Sequence, residues 1–151
     1  LGDAYLTLGD WAAAQHAFVQ AQQHRSAISD EPHYAARAGQ AYAAWQLGDC
    51  ATALALAATV LDAPWTTVAQ QTDTPFYIYW RCYQILAAYA DERAPMVLHR
   101  IHKHFQDQLT RIEDPTLRRS FAEQVPAHRQ LLAAIAQSHA TGAASIRQLL
   151  N

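Results

Sequence analysis

The densest group of side chains able to bind a metal or move a proton is His99, His102, Lys103 and His104. On a helix, His99 and His102 are i, i+3 neighbours and could hold one ion from a common face. A stable site needs about three or four converging ligands. No Cys or carboxylate stands at ligand spacing beside this pair, His104 points elsewhere, and Arg100 with Lys103 would repel a cation. The pattern therefore implies no metal site. Nucleophilic chemistry would need a Ser or Cys held by a base. Cys50 falls in a turn and Cys82 on an apolar stripe, and no G-x-S-x-G elbow occurs. Asp30, Glu31, Asp49, Glu113 and Asp114 sit at expected helix starts or turns, where capping accounts for them. There is no G-x4-G-K-[ST] phosphate loop, and Lys103 is the only lysine. The expectation is a non-enzyme with no catalytic residues and no cofactor.

Charge and composition narrow the remaining classes. Residues 1–90 carry a net charge of -4 and residues 91–151 one of +2. Arg111, Arg118, Arg119 and Arg129 could meet phosphates, but Asp107, Glu113, Asp114 and Glu123 are interleaved with them. That is the pattern of a solvated face laced with ion pairs, and direct nucleic-acid contact is disfavoured. The 151 residues, 51% of them hydrophobic and 16% charged, suit one compact domain or a short repeat array. Five Gly and six Pro against 32 Ala and 15 Gln favour helices over a turn-rich sandwich. No run approaches the roughly 18 apolar residues of a membrane span. The N-terminal residues lack a basic segment and an apolar signal core. Cys50 and Cys82, 32 positions apart, form no disulfide framework. These features predict a soluble, cytoplasmic protein.

Elements that could position a binding surface emerge as repeats. Leu1, Gly2, Tyr5, Gly9, Asp10, Trp11, Ala14, Phe18 and Ala21 are followed by Gly39, Tyr42, Gly48, Asp49, Ala53, Ala57 and Val60. Gly9 to Gly48 and Ala14 to Ala53 are both 39 residues. Gly2, Gly39, Ala14 and Ala53 remove bulk where two helices cross, and Tyr5, Tyr42 and Phe18 fill the adjacent space. Gly9-Asp10 and Gly48-Asp49 supply a turn: glycine accepts the left-handed conformation and Asp caps the next helix. Each copy is thus a helical hairpin. A third, degenerate pair runs from Thr74 to about Ile112, with Asp73 or Thr74 as cap and Ala90-Asp91-Glu92-Arg93 in place of the Gly-Asp turn. Phe76-Tyr77-Ile78-Tyr79-Trp80 has strand propensity. Ile78, Cys82, Ile85 and Tyr89 nevertheless recur at helical steps, as do Ala94, Leu98, Ile101, Phe105, Leu109 and Ile112. Between the second and third pairs, residues 63–72 read as a loop or short helical turn. Asp114-Pro115 and Pro126 open two short helices, and Thr141-Gly142 is expected to break the pattern in the tail.

The spacing L-G-x2-Y, G-D-aromatic, A-x3-F-x2-A resembles the tetratricopeptide (TPR) repeat from the middle of its first helix onward, although 39 residues exceeds the standard of about 34. It is similar to the longer TPR variants of maltose-regulon-activator-type bacterial regulators. The string Arg111-Ile112-Glu113-Asp114-Pro115-Thr116-Leu117-Arg118-Arg119-Ser120-Phe121, then Val125-Pro126-Ala127-His128-Arg129-Gln130-Leu131-Leu132, is similar to the end of the TPR region in large bacterial multidomain regulators, often linked to a signalling ATPase. The resemblance implies a sensory or scaffolding segment. Leu1 falls near the seventh position of a repeat, so the expectation is a segment of a longer chain.

The resulting expectation is an all-α, TPR-like right-handed solenoid of antiparallel hairpins. Three hairpins span residues 1–112, capping helices 113–137 and a tail 138–151. Its function would be protein–protein interaction or scaffolding within a bacterial signalling or transcription regulator, with a protein or peptide segment, or other domains of the same chain, as partner. Tyr34, Arg37, Gln40, Tyr77, Arg81 and Gln84, on the first helices of neighbouring hairpins, are the candidate groove residues. The structural counterpart of that reading packs Tyr34 and Tyr77 between repeats and pairs the arginines with acids. Asn151 is the only Asn, which disfavours a clamp for a chaperone-tail carboxylate. An alternative is a small-ligand sensor coupled to a fused ATPase, which would need an enclosed polar pocket near Phe76 to Tyr83.

Overall fold

The computed structural model describes residues 1–28, 30, 32–72 and 75–149, the last ten as backbone only. The described residues are all-helical: α1 (Gly2–Leu8), α2 (Trp11–Ser26), α3 (Tyr34–Gln46), α4 (Cys50–Leu61), α5 (Trp65–Gln70), α6 (Pro75–Ala88), α7 (Ala94–Thr110), α8 (Pro115–Gln124) and α9 (Pro126–Leu149). None of these helices is long and apolar enough to cross a membrane. Glu31, and Asp73 and Thr74 as caps, lie outside the described residues. The chain divides into two compact units, Leu1–Ala94 and Pro95–Asn151. The helices expected to form the third pair, α6 and α7, thus belong to different units.

In the first unit α2 packs on α1 and α3, while α3 also packs on α4 and α6. The centre is α3, buried around its whole circumference at Tyr34, Ala36, Ala38, Gly39, Ala41, Ala43 and Ala44. Small side chains on every face let neighbouring backbones approach closely, the arrangement expected of a helix apolar all round. Phe18 of α2 supplies the bulk those positions omit. Its ring lies between Gly2 of α1 and Gly39 of α3: a Cβ at Gly2 would fall 2.6 Å from the ring, and one at Gly39 would overlap it further.

The turns repeat with the same hydrogen bonds. Gly9 N–H donates to Leu6 O and Asp10 N–H to Tyr5 O; Gly48 N–H donates to Trp45 O and Asp49 N–H to Ala44 O. Ala90 N–H donates to Ala87 O and Asp91 N–H to Leu86 O. All three are left-handed helix ends, with φ of 74° at Gly9, 82° at Gly48 and 51° at Ala90. The sequence at 90–93 has no glycine, yet the backbone makes the same turn. Asp10 accepts from Ala13 N–H (3.0 Å) and Asp49 from Thr52 N–H (3.1 Å), starting α2 and α4. Asp91 instead accepts from Arg93, through its backbone N–H at 2.9 Å and its guanidinium at 2.8 Å, and α7 begins three positions later at Ala94. Those bonds hold the Asp91 carboxyl at about 2, below the usual carboxylate range. Because a left-handed Ala costs about 1–2 kcal/mol, Ala90→Gly should raise stability by roughly 0.5–1 kcal/mol once glycine's extra unfolded-state entropy is subtracted. Urea denaturation measures it, and a loss of stability would mean that Ala90 is not strained.

In the second unit α7 buries Val97, Leu98, Ile101 and Phe105 at three- and four-residue steps. Phe105 stacks on Phe121 of α8 (centroids 5.9 Å) and meets the His128 ring of α9 at 4.9 Å. His128 is buried, with Nδ1 2.7 Å from Phe121 O. Asp114 caps α8 by accepting from Thr116 and Leu117 N–H, with Pro115 in its first turn. Val125, preceding Pro126, is extended, which ends α8 and lets the proline open α9. In place of the expected break at Thr141-Gly142, α9 continues to Leu149. One interior glycine costs a helix only about 1 kcal/mol and does not by itself terminate it.

Candidate functional site

Three helices of the first unit, α1, α3 and α6, present a common surface. Between them lies an open recess of about 320 Å³ lined by Asp3, Ala35, Thr72, Tyr77, Ile78 and Arg81. α1, α3 and α6 each directly precede one of the left-handed turns, and each lends residues to the recess. Ala35 leaves the space because it has no side chain beyond Cβ; Tyr77 and Arg81, one turn apart on α6, form one wall.

Arg81 and Asp3 join the two sides. Arg81 Nη2 donates to Asp3 Oδ1 at 2.6 Å, with the Arg81 side chain 21% exposed and that of Asp3 71% exposed. A pair this open to water contributes only about 0–1 kcal/mol, so a ligand can displace Asp3 at little cost. The guanidinium then offers donors in a fixed fork to a carboxylate or main-chain carbonyl. Tyr77, 40% exposed, adds an amphipathic aromatic face beside it.

Of the six residues expected in the groove, the structure brings Tyr77 and Arg81 to the recess. Tyr34 is 8% exposed and belongs to the core at the start of α3, where its backbone N–H donates to Gln71 Oε1 at 3.4 Å. Arg37 and Gln40 on α3 and Gln84 on α6 are half-buried and do not line the recess. Sequence reasoning missed Asp3, Ala35 and Thr72. Asp3 carried one signal, being the sole charged residue of α1. Its partner lies 78 positions away, and spacing alone cannot choose between Arg37 and Arg81. A second missed device is the N-terminus of α3: His33 N–H donates to Gln22 Oε1 at 3.2 Å, next to the Tyr34–Gln71 bond. Two glutamine amides borrowed from elsewhere in the chain therefore satisfy donors that a local cap would otherwise take.

Around the aromatic segment of α6 the rings stack on one another and on Trp65 of α5. Trp65 stacks on Tyr79 at 4.2 Å, Phe76 on Trp80 at 6.2 Å, and Trp80 on Tyr83 at 5.1 Å. Phe76, Tyr79 and Trp80 are buried. Cys82 is also buried, which pushes its thiol up to about 12 and keeps it protonated at neutral pH. No protein family, curated protein or solved structure matches the chain.

Proposed function

We propose that the first unit is a TPR-like solenoid of helical hairpins whose α1–α3–α6 surface holds a peptide segment of a partner protein, and that the chain is a non-enzymatic interaction module of a regulatory protein. One observation carries the reading: an open recess bridged from α6 to α1 by a water-exposed ion pair, with a tyrosine face and Ala35 leaving space on α3. The two Gly-Asp turns joining the packed pairs α1–α2 and α3–α4, and the Gly2–Phe18–Gly39 interlock, support the stacked-hairpin part. Binding would bury Tyr77 and exchange the Asp3 contact of Arg81 for a ligand acceptor, giving a few contacts most of the affinity. The sensor reading asks for an enclosed pocket beside Phe76 to Tyr83; there the rings stack on one another, which favours the open groove.

The test is selection of displayed random peptides on the full chain, followed by chemical-shift mapping of a selected peptide. Shifts should centre on Asp3, Ala35, Tyr77 and Arg81. Tyr77→Ala and Arg81→Ala should each weaken that peptide by tenfold or more, about 1.4 kcal/mol. Leu132→Ala, on α9, should leave it unchanged. Shifts centred away from the recess, or unaltered affinity in both groove variants at native helicity, would remove the proposal.

A further inference from the structure

A second recess, of about 90 Å³, lies within the other unit, between α7 and α9. Its polar rim is His99 and His102 from α7 with Ser138 and His139 from α9, and Leu98 and Ile135 contribute apolar wall. Sequence spacing joined only His99 and His102; the antiparallel return of α9 adds a third imidazole and a hydroxyl. We propose that this recess is a binding site for the phosphate group of a small molecule, held by the imidazoles of His99, His102 and His139 and by the Ser138 hydroxyl.

The donor set fits an oxyanion better than a metal ion. Zinc must meet each imidazole nitrogen at about 2.0–2.1 Å, so its ligands converge on one point. Among the described residues no group of three or more His, Cys, Asp or Glu is arranged to hold a metal ion. A tetrahedral phosphate instead spreads its acceptor oxygens outward and can accept from donors that surround it without converging. A phosphate group offers three terminal acceptor oxygens to these four donor-bearing side chains, whereas a carboxylate offers two. The recess is large enough for such a group and too small for an extended ligand to be enclosed.

The surrounding charge favours an anion. None of the described lining residues is acidic, and the sequence of α9 contains no Asp or Glu. On α7, Arg100 and Lys103 adjoin the histidines in sequence, and the one acid, Asp107, acts on His104 instead. On α8, Glu123 is paired with Arg119 of its own helix at 3.0 Å. His102 is held below the ordinary imidazole value, first by burial and then by the charges of His139 and His99. An anion seated among the three rings would offset that mutual repulsion. By linkage, a ligand that prefers imidazolium raises the imidazole values and binds more tightly as pH falls.

The site is tested on the full chain by following imidazole ring protons through pH titrations with and without inorganic phosphate at constant ionic strength. Phosphate should raise the values of His99, His102 and His139 while leaving His16 and His24 of α2 unmoved. Its affinity, corrected for the second ionisation of phosphate itself, should be about tenfold higher near pH 5.5 than near pH 7.5. His102→Gln and His139→Gln should each abolish most of the response of the remaining two rings; should either variant unfold, the wild-type comparison with His16 and His24 still decides. Equal shifts at all five histidines, an equal response to acetate, or a Zn²⁺ response that strengthens with rising pH while phosphate is silent would overturn the assignment.

Discussion

Replacing Phe18 by Ala is expected to cost about 3–5 kcal/mol, the usual range for emptying an aromatic site in a packed core. The ring is 7% exposed and fills the space between α1 and α3. The companion variant is more diagnostic. Gly→Ala in a helix interior ordinarily stabilises by about 0.5–1 kcal/mol. At Gly39 the new methyl would run into the Phe18 ring, and overpacking of this kind costs about 1–3 kcal/mol. Gly39→Ala should therefore destabilise the wild-type protein by roughly 1–2 kcal/mol. In the Phe18→Ala background the same substitution has room and should regain its ordinary helix benefit, reversing sign. Urea denaturation of the four proteins gives the coupling directly, with an interaction term of about 1.5–3 kcal/mol. Additive effects would mean that the glycine and the ring do not interlock.

Phe105→Ala should be the most damaging single change in the second unit, again about 3–5 kcal/mol. Phe105 is fully buried and touches both the Phe121 and His128 rings, which themselves stand 4.4 Å apart. Removing it leaves the buried His128 beside a cavity while its Nδ1 remains engaged with Phe121 O. The effect should concentrate in α7, α8 and α9, seen as faster amide exchange of their core residues than of α3. Phe105→Leu refills most of the volume and should recover more than half of the loss. A cost below about 1 kcal/mol for the alanine variant would show that this cluster is not a core.

The helical character of the chain was legible in residue spacing. Ile78, Cys82 and Ile85 announce a helix despite the strand propensity of their aromatic neighbours, because burial periodicity outweighs intrinsic preference. Asp10, Asp49 and Asp114 were readable as caps, since capping is a local bond between a side chain and an amide two or three residues on. The third turn was harder to read: Ala90 gives no local reason for a left-handed backbone, and the hydrogen bonds at Leu86 and Ala87 supply it from the context of a completed helix end. Thr141-Gly142 misled for the opposite reason, because a helix tolerates one weak position when its neighbours continue it.

The candidate sites divide in the same way. Tyr77 and Arg81 both line the recess because they share an α6 face, a relation that helix geometry sets within a few residues. Tyr34 shares the composition of a groove residue, but its position against the centre of the unit buries it. Asp3 with Arg81, and His139 with His99 and His102, unite residues from distant segments. The sequence by itself determined the helices, their small-residue crossings and most of their caps, all of which depend on contacts within one turn or one repeat. Only the tertiary structure decided which charges meet, which aromatics face water and where recesses remain, because those depend on how the helices of each unit rotate and stack against one another.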